Sequence, residues 1–401
     1  MRDLFLRRQA IFDRRLEVVG YALSAEPSGA LSARLADPEG AARLLVDVFI
    51  EVGFETLVGD RLAFLALPQQ FLVSELESLA TILPRDRLVL EVRAPVTDPA
   101  VFDALRTLAM RGCWVLADVP ALPTPGDPVL EWADMARIDL AQEDILALPE
   151  RVAGLRQAGL RLLVANVSDY TTFTRCRDLG VDYFQGPFLH APDALGGRRS
   201  PTSRSTLLLL ARLHDPEIEF SELESLISLD VSLTYKLLRL VNSAWYGRRK
   251  RVSSVREALL LLGTRLIAAW VSLIVLAGVT DKPRELMVTA VVRARMCELI
   301  AGMLGRPNRE TYFLVGLLSV LDVLLDTPMD ELLASLPLTE EVSRALLAHE
   351  GEFGEVLESV LAYERGEWDR VRLPEIRASL LAEAFVDAIT FAREVELALA
   401  A

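Results

Sequence analysis

The sequence predicts a multidomain protein, α/β in its first half and all-α in its second: a TIM-like (β/α) barrel followed by a separate helical domain. Three observations predict this. Over residues 1–190, short runs rich in Val, Leu and Ile alternate with helical patterns, as in a parallel sheet covered by helices. Beyond that stretch the apolar period changes to that of a helix and no strand alternation is visible. The chain has 401 residues, of which 52% are hydrophobic, enough for two cores.

In the first half the strands are expected at "AFLAL" (63–67), "RLVLEV" (87–92), "CWVLADV" (113–119), "ARIDL" (136–140), "RLLVANV" (161–167) and "YFQG" (183–186). A hairpin-like region precedes them, with a small apolar strand ending on Ala22, Leu23 and Ser24. Six strands plus that region favour a closed barrel. An open doubly wound sheet is the alternative, but no Gly-rich phosphate loop follows any strand. Helices are expected over "PAVFDALRTLAMRG" (99–112) and over "DYTTFTRCRDLG" (169–180), the latter opening on an Asp cap and closing on Gly180.

The barrel is expected over residues 1–190. Residues 191–204, rich in Gly, Pro, Ser and Arg, read as a linker, and 205–401 as the helical domain. There, Ser221 with Glu224 and Ser254 with Glu257 stand at capping-box spacing. "SLTYKLLRLVNSAWYG" (232–247) is amphipathic and is expected to stop at Gly247. The uncharged run "LIAAWVSLIVLAGVT" (266–280) is too short to cross a bilayer and reads as a buried core helix.

The formal net charge is −14, which disfavours nucleic acid and anionic membrane as partners. Cys113, Cys176 and Cys297 form no CxxC pair and suit a reducing compartment. The N-terminus lacks the apolar core of a secretion signal, so a cytoplasmic protein with no membrane association is expected.

In a barrel, chemistry sits at the C-terminal ends of the strands. Those ends read Ala22, Ala66, Glu91, Ala117 with Asp118, Arg137 with Asp139, Ala165, and Gln185 with Gly186. Scattered acids separated by alanines are a poor set for holding Mg²⁺ in octahedral geometry.

Residues 1–190 resemble an EAL domain, the barrel that hydrolyses cyclic di-GMP. The residues that carry the resemblance are "QAIFDRRLEVVGYALS", "LVLEV", "RID" and, most specifically, "DLGVDYFQGPFL". Residues 200–401 are similar to an HDOD domain, a helical relative of HD phosphohydrolases, through "LLRLVNSAWYG", "RVSSVREALLLLG", "FLVGLLSVLD" and "LAYERGEWD". The resemblance implies that the metal-binding Glu of the EAL signature falls on Ala22 and the metal-binding Asn on Ala66. The next metal ligand is kept, as Glu91. The acidic pair becomes Ala117 and Asp118, the active-site Lys falls on Arg137, and the general base falls on Ala165. An Arg that helps hold the nucleotide falls on Glu26. In the helical half, the family's HD position falls on Ser319 and Val320.

These departures lead to the expectation that the chain is not an enzyme and that no cofactor is needed, the Mg²⁺ site being lost. It is then a bacterial signal-transduction protein with an inactive EAL barrel as scaffold and the HDOD domain as a protein-interaction platform. Its partners would be signalling proteins: a kinase, a regulator or a cyclic di-GMP enzyme. The alternative is a cyclic di-GMP receptor that does not hydrolyse its ligand, with Glu91, Asp118, Asp139 and Gln185 as residual ligand-binding residues. The other reading is that Glu91, Asp118 and Asp139 hydrogen-bond at a strand end or sit in solvent, and that Gln185 and Gly186 shape the last strand turn. Trp245, Tyr246, Arg248, Arg249, Lys250 and Arg251 are candidates for binding a partner, or a solvated loop. A homodimer is left open. His349 reads as a surface or capping residue, and Asp322 as a solvated or capping acid.

Overall fold

In the computed structural model the first half closes into an eight-stranded barrel whose strand order follows the chain, β1 to β8. The structure describes residues 4–27, 46, 48–74, 84–93, 96–119, 132–142, 146–189, 201–242, 252–279 and 282–399. The chain divides into two compact units, 1–189 and 190–401.

The strands are β1 (Leu4–Asp13), β2 (Val18–Pro27), β3 (Leu62–Ala66), β4 (Leu88–Arg93), β5 (Trp114–Asp118), β6 (Met135–Asp139), β7 (Arg161–Ala165) and β8 (Tyr183–Gln185). The pairs from β2 to β8 are parallel. β1 runs antiparallel to both β2 and β8 and so closes the ring. The hairpin-like region is therefore two full strands of the barrel wall. β2 does not end at Ser24 but continues to Pro27, because Ser24 pairs with Arg7 and Pro27 with Leu4.

Helices α1 (Phe54–Val58), α2 (Gln69–Ser74), α3 (Pro99–Met110), α4 (Leu148–Gln157) and α5 (Tyr170–Asp178) lie between strands. α5 has the cap its sequence promises: the Asp169 carboxylate accepts from Thr172 N–H at 2.8 Å, and Gly180 takes φ 98° just beyond the helix.

Strand alternation sorts the barrel residues. Ile11, Phe64, Val89, Leu116, Met135, Leu163 and Ala165 form one cluster inside the barrel. Glu91 follows Val89 by two residues, Asp118 follows Leu116, and Arg137 and Asp139 follow Met135, so all four share the inward face. Behind the wall, Phe173 on α5 packs edge-on against Phe184 at 4.6 Å and stacks on Phe188 at 5.0 Å, which fixes β8 and turns Gln185 inward.

The second unit comprises α6 (Pro201–Leu213), α7 (Phe220–Ser228), α8 (Val231–Val241), α9 (Val255–Leu262), α10 (Thr264–Leu276), α11 (Arg284–Met303), α12 (Arg309–Leu318), α13 (Leu321–Leu325), α14 (Met329–Ala334), α15 (Glu340–Ala348), α16 (Gly351–Arg365) and α17 (Ala378–Leu399). α6 begins at Pro201, inside the stretch expected as linker. α7 starts at Phe220 with Glu219 at its N-cap and no side-chain cap bond, so Ser221 and Glu224 form no capping box; Glu224 instead pairs with Arg256. α8 stops at Asn242 rather than Gly247, and the Asn242 amide binds both the N–H and the C=O of Val252 at 2.8 Å. At α9 Ser254 caps as expected, while Glu257 reaches back to Ser253 N–H. α10 is the buried core helix: residues from Ile267 to Ile274 are almost without exposure. No helix among the described residues is long and apolar enough to cross a membrane.

α11 and α12 approach closely at Gly316, where a Cβ would stand 2.6 Å from the Ala294 Cα and the Arg293 carbonyl oxygen. That approach places Ser319 beside Arg293.

Candidate functional site at the barrel mouth

The C-terminal strand ends bring together side chains far apart in sequence. Arg137 on β6 is central. Its Nη1 lies 3.4 Å from Glu91 on β4 and 3.6 Å from Asp118 on β5, and its Nη2 lies 3.4 Å from Asp139. These four side chains are 13–22% exposed, a dielectric setting in which charges interact more strongly than at an open surface. Burial raises the Glu91 pKa; Arg137 opposes this, while Asp118 and Asp139 add to it. Among the described residues the Arg137 Nε has no hydrogen-bond partner.

Two residues that sequence reasoning missed complete the rim. Asn166 follows β7 with φ 59° and donates from Nδ2 to Asp139 at 2.6 Å. Gln9 on β1 accepts from Gln185 Nε2 at 2.9 Å. An asparagine in the left-handed region directly after a strand was the available signal for the first. Gln9 had none, since its role depends on β1 closing against β8. Arg151 on α4 is a third: it is buried, donates to the Val119 carbonyl, and is held below the ordinary arginine pKa by burial, against the pull of Asp118.

Ala22, Ala66 and Ala165 lie on the same inward series, Ala66 exposed and Ala165 buried. Ala117 does not. Leu116 points into the barrel, so buried Ala117 faces the helices and is no mouth residue. Gly186 is structural: a Cβ there would stand 2.2 Å from the Val167 carbonyl oxygen. Glu26 sits on the far part of β2 opposite Phe5. Trp245, Tyr246, Arg248, Arg249, Lys250 and Arg251 lie outside the described residues.

In the helical unit, Ser319 accepts from Arg293 Nη1 at 3.2 Å and donates to the Gly316 carbonyl, while Val320 is 1% exposed. Arg293 binds Glu364 with both prongs, at 2.7 and 3.0 Å. Burial works to discharge Arg293, but the charge and hydrogen bonds of Glu364 prevail and leave its pKa above the ordinary value. Of the two readings of Asp322, a solvated or a capping acid, the structure favours the second: it lies in the first turn of α13. It is partly buried and accepts from Val323 N–H, and burial raises its pKa. His349 closes α15 in the left-handed region and pairs with Glu358 at 2.7 Å.

The EAL resemblance implies a Mg²⁺ ion at this mouth. Among the described residues no three His, Cys, Asp or Glu side chains are disposed to hold a metal ion. The guanidinium of Arg137 stands between the three mouth carboxylates, so the four side chains as placed do not fit a divalent cation.

Residues 201–353 match the HDOD domain family. An HDOD domain is present in the second unit. The chain is 29% identical over 381 residues to a Vibrio cholerae protein named cyclic di-GMP phosphodiesterase CdgJ, covering 92% of this chain and 87% of that one. It is 28% identical over 380 residues to YuxH of Bacillus subtilis, covering 91% and 92% of the two chains. Among solved structures, the Bacillus subtilis YkuI protein, with an EAL domain, matches 64% of this chain and 71% of its own at 18% identity and a TM-score of 0.39. An EAL domain protein of Listeria monocytogenes matches 46% and 87% at 15% identity and a TM-score of 0.38. The name of the Vibrio relative overturns the expectation that the chain is not an enzyme: a protein similar along nearly all of this one carries the name of a phosphodiesterase.

Proposed function

We propose that the protein works in cyclic di-GMP signalling, with the barrel mouth receiving the cyclic dinucleotide and the helical unit docking other signalling proteins. The observation that carries this reading is the polar constellation at the mouth, in a chain similar over 92% of its length to a protein named cyclic di-GMP phosphodiesterase. The chemistry of the rim supports it. A cyclic dinucleotide presents phosphodiesters and purine edges. Arg137 offers a phosphate a planar cation with several N–H donors. Gln9 and Gln185 offer a base both donors and acceptors. Glu91, its pKa raised by burial, is the mouth carboxyl best suited to hold or move a proton.

Calorimetric titration of cyclic di-GMP into the full chain, with Mg²⁺ and then with EDTA, tests this reading. Chromatography of the same samples reads turnover. Saturable binding is expected, weakened at least tenfold by Gln185→Ala. Release of linear dinucleotide would make the mouth an active site with Glu91 as its proton-holding group, and Glu91→Gln would then abolish the release. Neither heat nor product under both conditions would overturn the proposal.

A further inference from the structure

The carboxylates of Glu91, Asp118 and Asp139 converge from three adjacent strands on one point inside the barrel mouth. Three carboxyls can share so enclosed a space only with a cation among them or a proton on one of them. Metal enzymes meet that need with a divalent ion, bound by oxygens about 2.0–2.6 Å away. This chain supplies the charge from one of its own side chains. We infer that the Arg137 guanidinium is the resident cation of the mouth, standing among Glu91, Asp118 and Asp139 in the place a divalent ion would otherwise take.

Four observations carry the inference. The guanidinium nitrogens lie 3.4–3.6 Å from all three carboxylates, a charge contact with each and a bidentate grip on none. Arg137 and Asp139 lie on one strand two residues apart, so the cation and one of its counter-charges are locked to the same face. The register sets Asp118 directly opposite Arg137 on the neighbouring strand, so the second counter-charge is fixed by the sheet itself. The Asn166 amide donates to Asp139 and holds the third oxygen pair in place. A divalent ion entering here meets a fixed positive charge that arginine cannot shed by losing a proton, and it must displace a planar group wider than itself. A lysine at the same position could retract along its flexible stem or give up its proton; a guanidinium can do neither as readily.

The site therefore exchanges metal dependence for a built-in positive charge, and its affinity for Mn²⁺ is set by residue 137. The inference needs no cyclic dinucleotide, so it stands or falls separately from the proposed function. Mn²⁺ alone is the probe, titrated into the full chain and followed by electron paramagnetic resonance of the free ion. The wild type is expected to show no saturable site below millimolar Mn²⁺. Arg137→Gln is expected to bind Mn²⁺ at least tenfold more tightly, and Arg137→Gln with Asp118→Asn to lose that gain. Arg137→Lys, whose cation can retract or give up its proton, is expected to fall between the wild type and the Gln variant. A Gln variant that is folded by circular dichroism yet binds no more Mn²⁺ than the wild type would overturn the inference. So would a tight Mn²⁺ site in the wild type that Asp118→Asn removes, a measurement that stands even if the Gln variant fails to fold.

Discussion

His214 shows how one side chain ties the helical core to pH. It is partly buried on the loop after α6, and its Nε2 lies 2.9 Å from the Oγ of fully buried Ser272. The Ser272 hydroxyl already donates to the Ala268 carbonyl, so the imidazole is the donor to Ser272. Burial pushes the His214 pKa down to about 4 from the ordinary 6.5. Between those values the unfolded chain binds a proton that the folded chain refuses, so stability falls as pH drops from about 6.5 towards 4. The loss attributable to this one group reaches about 3 kcal/mol at the low end. Urea denaturation at pH 7 and pH 5 is expected to show a smaller drop in midpoint for His214→Gln than for the wild type; equal drops would refute it. The thiols obey the same physics. Burial raises Cys176 to about 11 and Cys297 to about 12, and Cys113 is 4% exposed. With almost no thiolate at Cys176 and Cys297, and burial of all three, the thiols are expected to ignore Ellman's reagent at pH 8 until the chain is unfolded.

Elements were legible in the sequence where their signals are local. Asp169 and Gly180 bracket α5, and Ser254 opens α9, because a cap bonds within its own first turn. They were not legible where a distant strand decides. Nothing in "VVGYALS" reveals that β2 continues to Pro27, since that depends on Leu4 across the hairpin. Ala117 stood beside Asp118 in the motif, yet alternation sends the two to opposite faces, and only the cluster around Leu116 shows which face is inside. The mouth was legible as a row of positions. Its pairing of Arg137 with three acids was not, because the register between β4, β5 and β6 makes it. Gly186 gives an element-scale prediction. A methyl group there meets the Val167 backbone at 2.2 Å, at the turn that ends β8, and φ is 153°. Gly186→Ala is expected to cost about 2–3 kcal/mol by thermal or urea unfolding. Ser254→Ala, which removes one cap bond from α9, is expected to cost about 1 kcal/mol. A Gly186→Ala variant no less stable than Ser254→Ala would refute the steric account.

Across the whole molecule, each of the two units holds a buried or half-buried arginine paired with acid: Arg137 among carboxylates in the barrel, and Arg293 between Glu364 and Ser319 in the helical unit. The two differ in one respect that decides what they do. Arg293 is gripped by both Glu364 oxygens and is 7% exposed, so its donors are spent inside the protein. Arg137 is held loosely by three acids and opens on the barrel mouth. The first is an ion pair that fastens α11 to α16, and the second is a charge available to a ligand. The prediction is accordingly asymmetric. Glu364→Gln leaves a buried guanidinium with half its compensation and is expected to destabilise the protein by about 3 kcal/mol. Because each unit has its own core, the loosening should stay within the helical unit. Hydrogen exchange read by mass spectrometry is expected to rise in peptides of α11, α12 and α16, while peptides from β3 to β7 keep their wild-type rates. Faster exchange in the barrel strands would mean that the two cores unfold as one, and the assignment of Arg293 to a purely local fastening would fail.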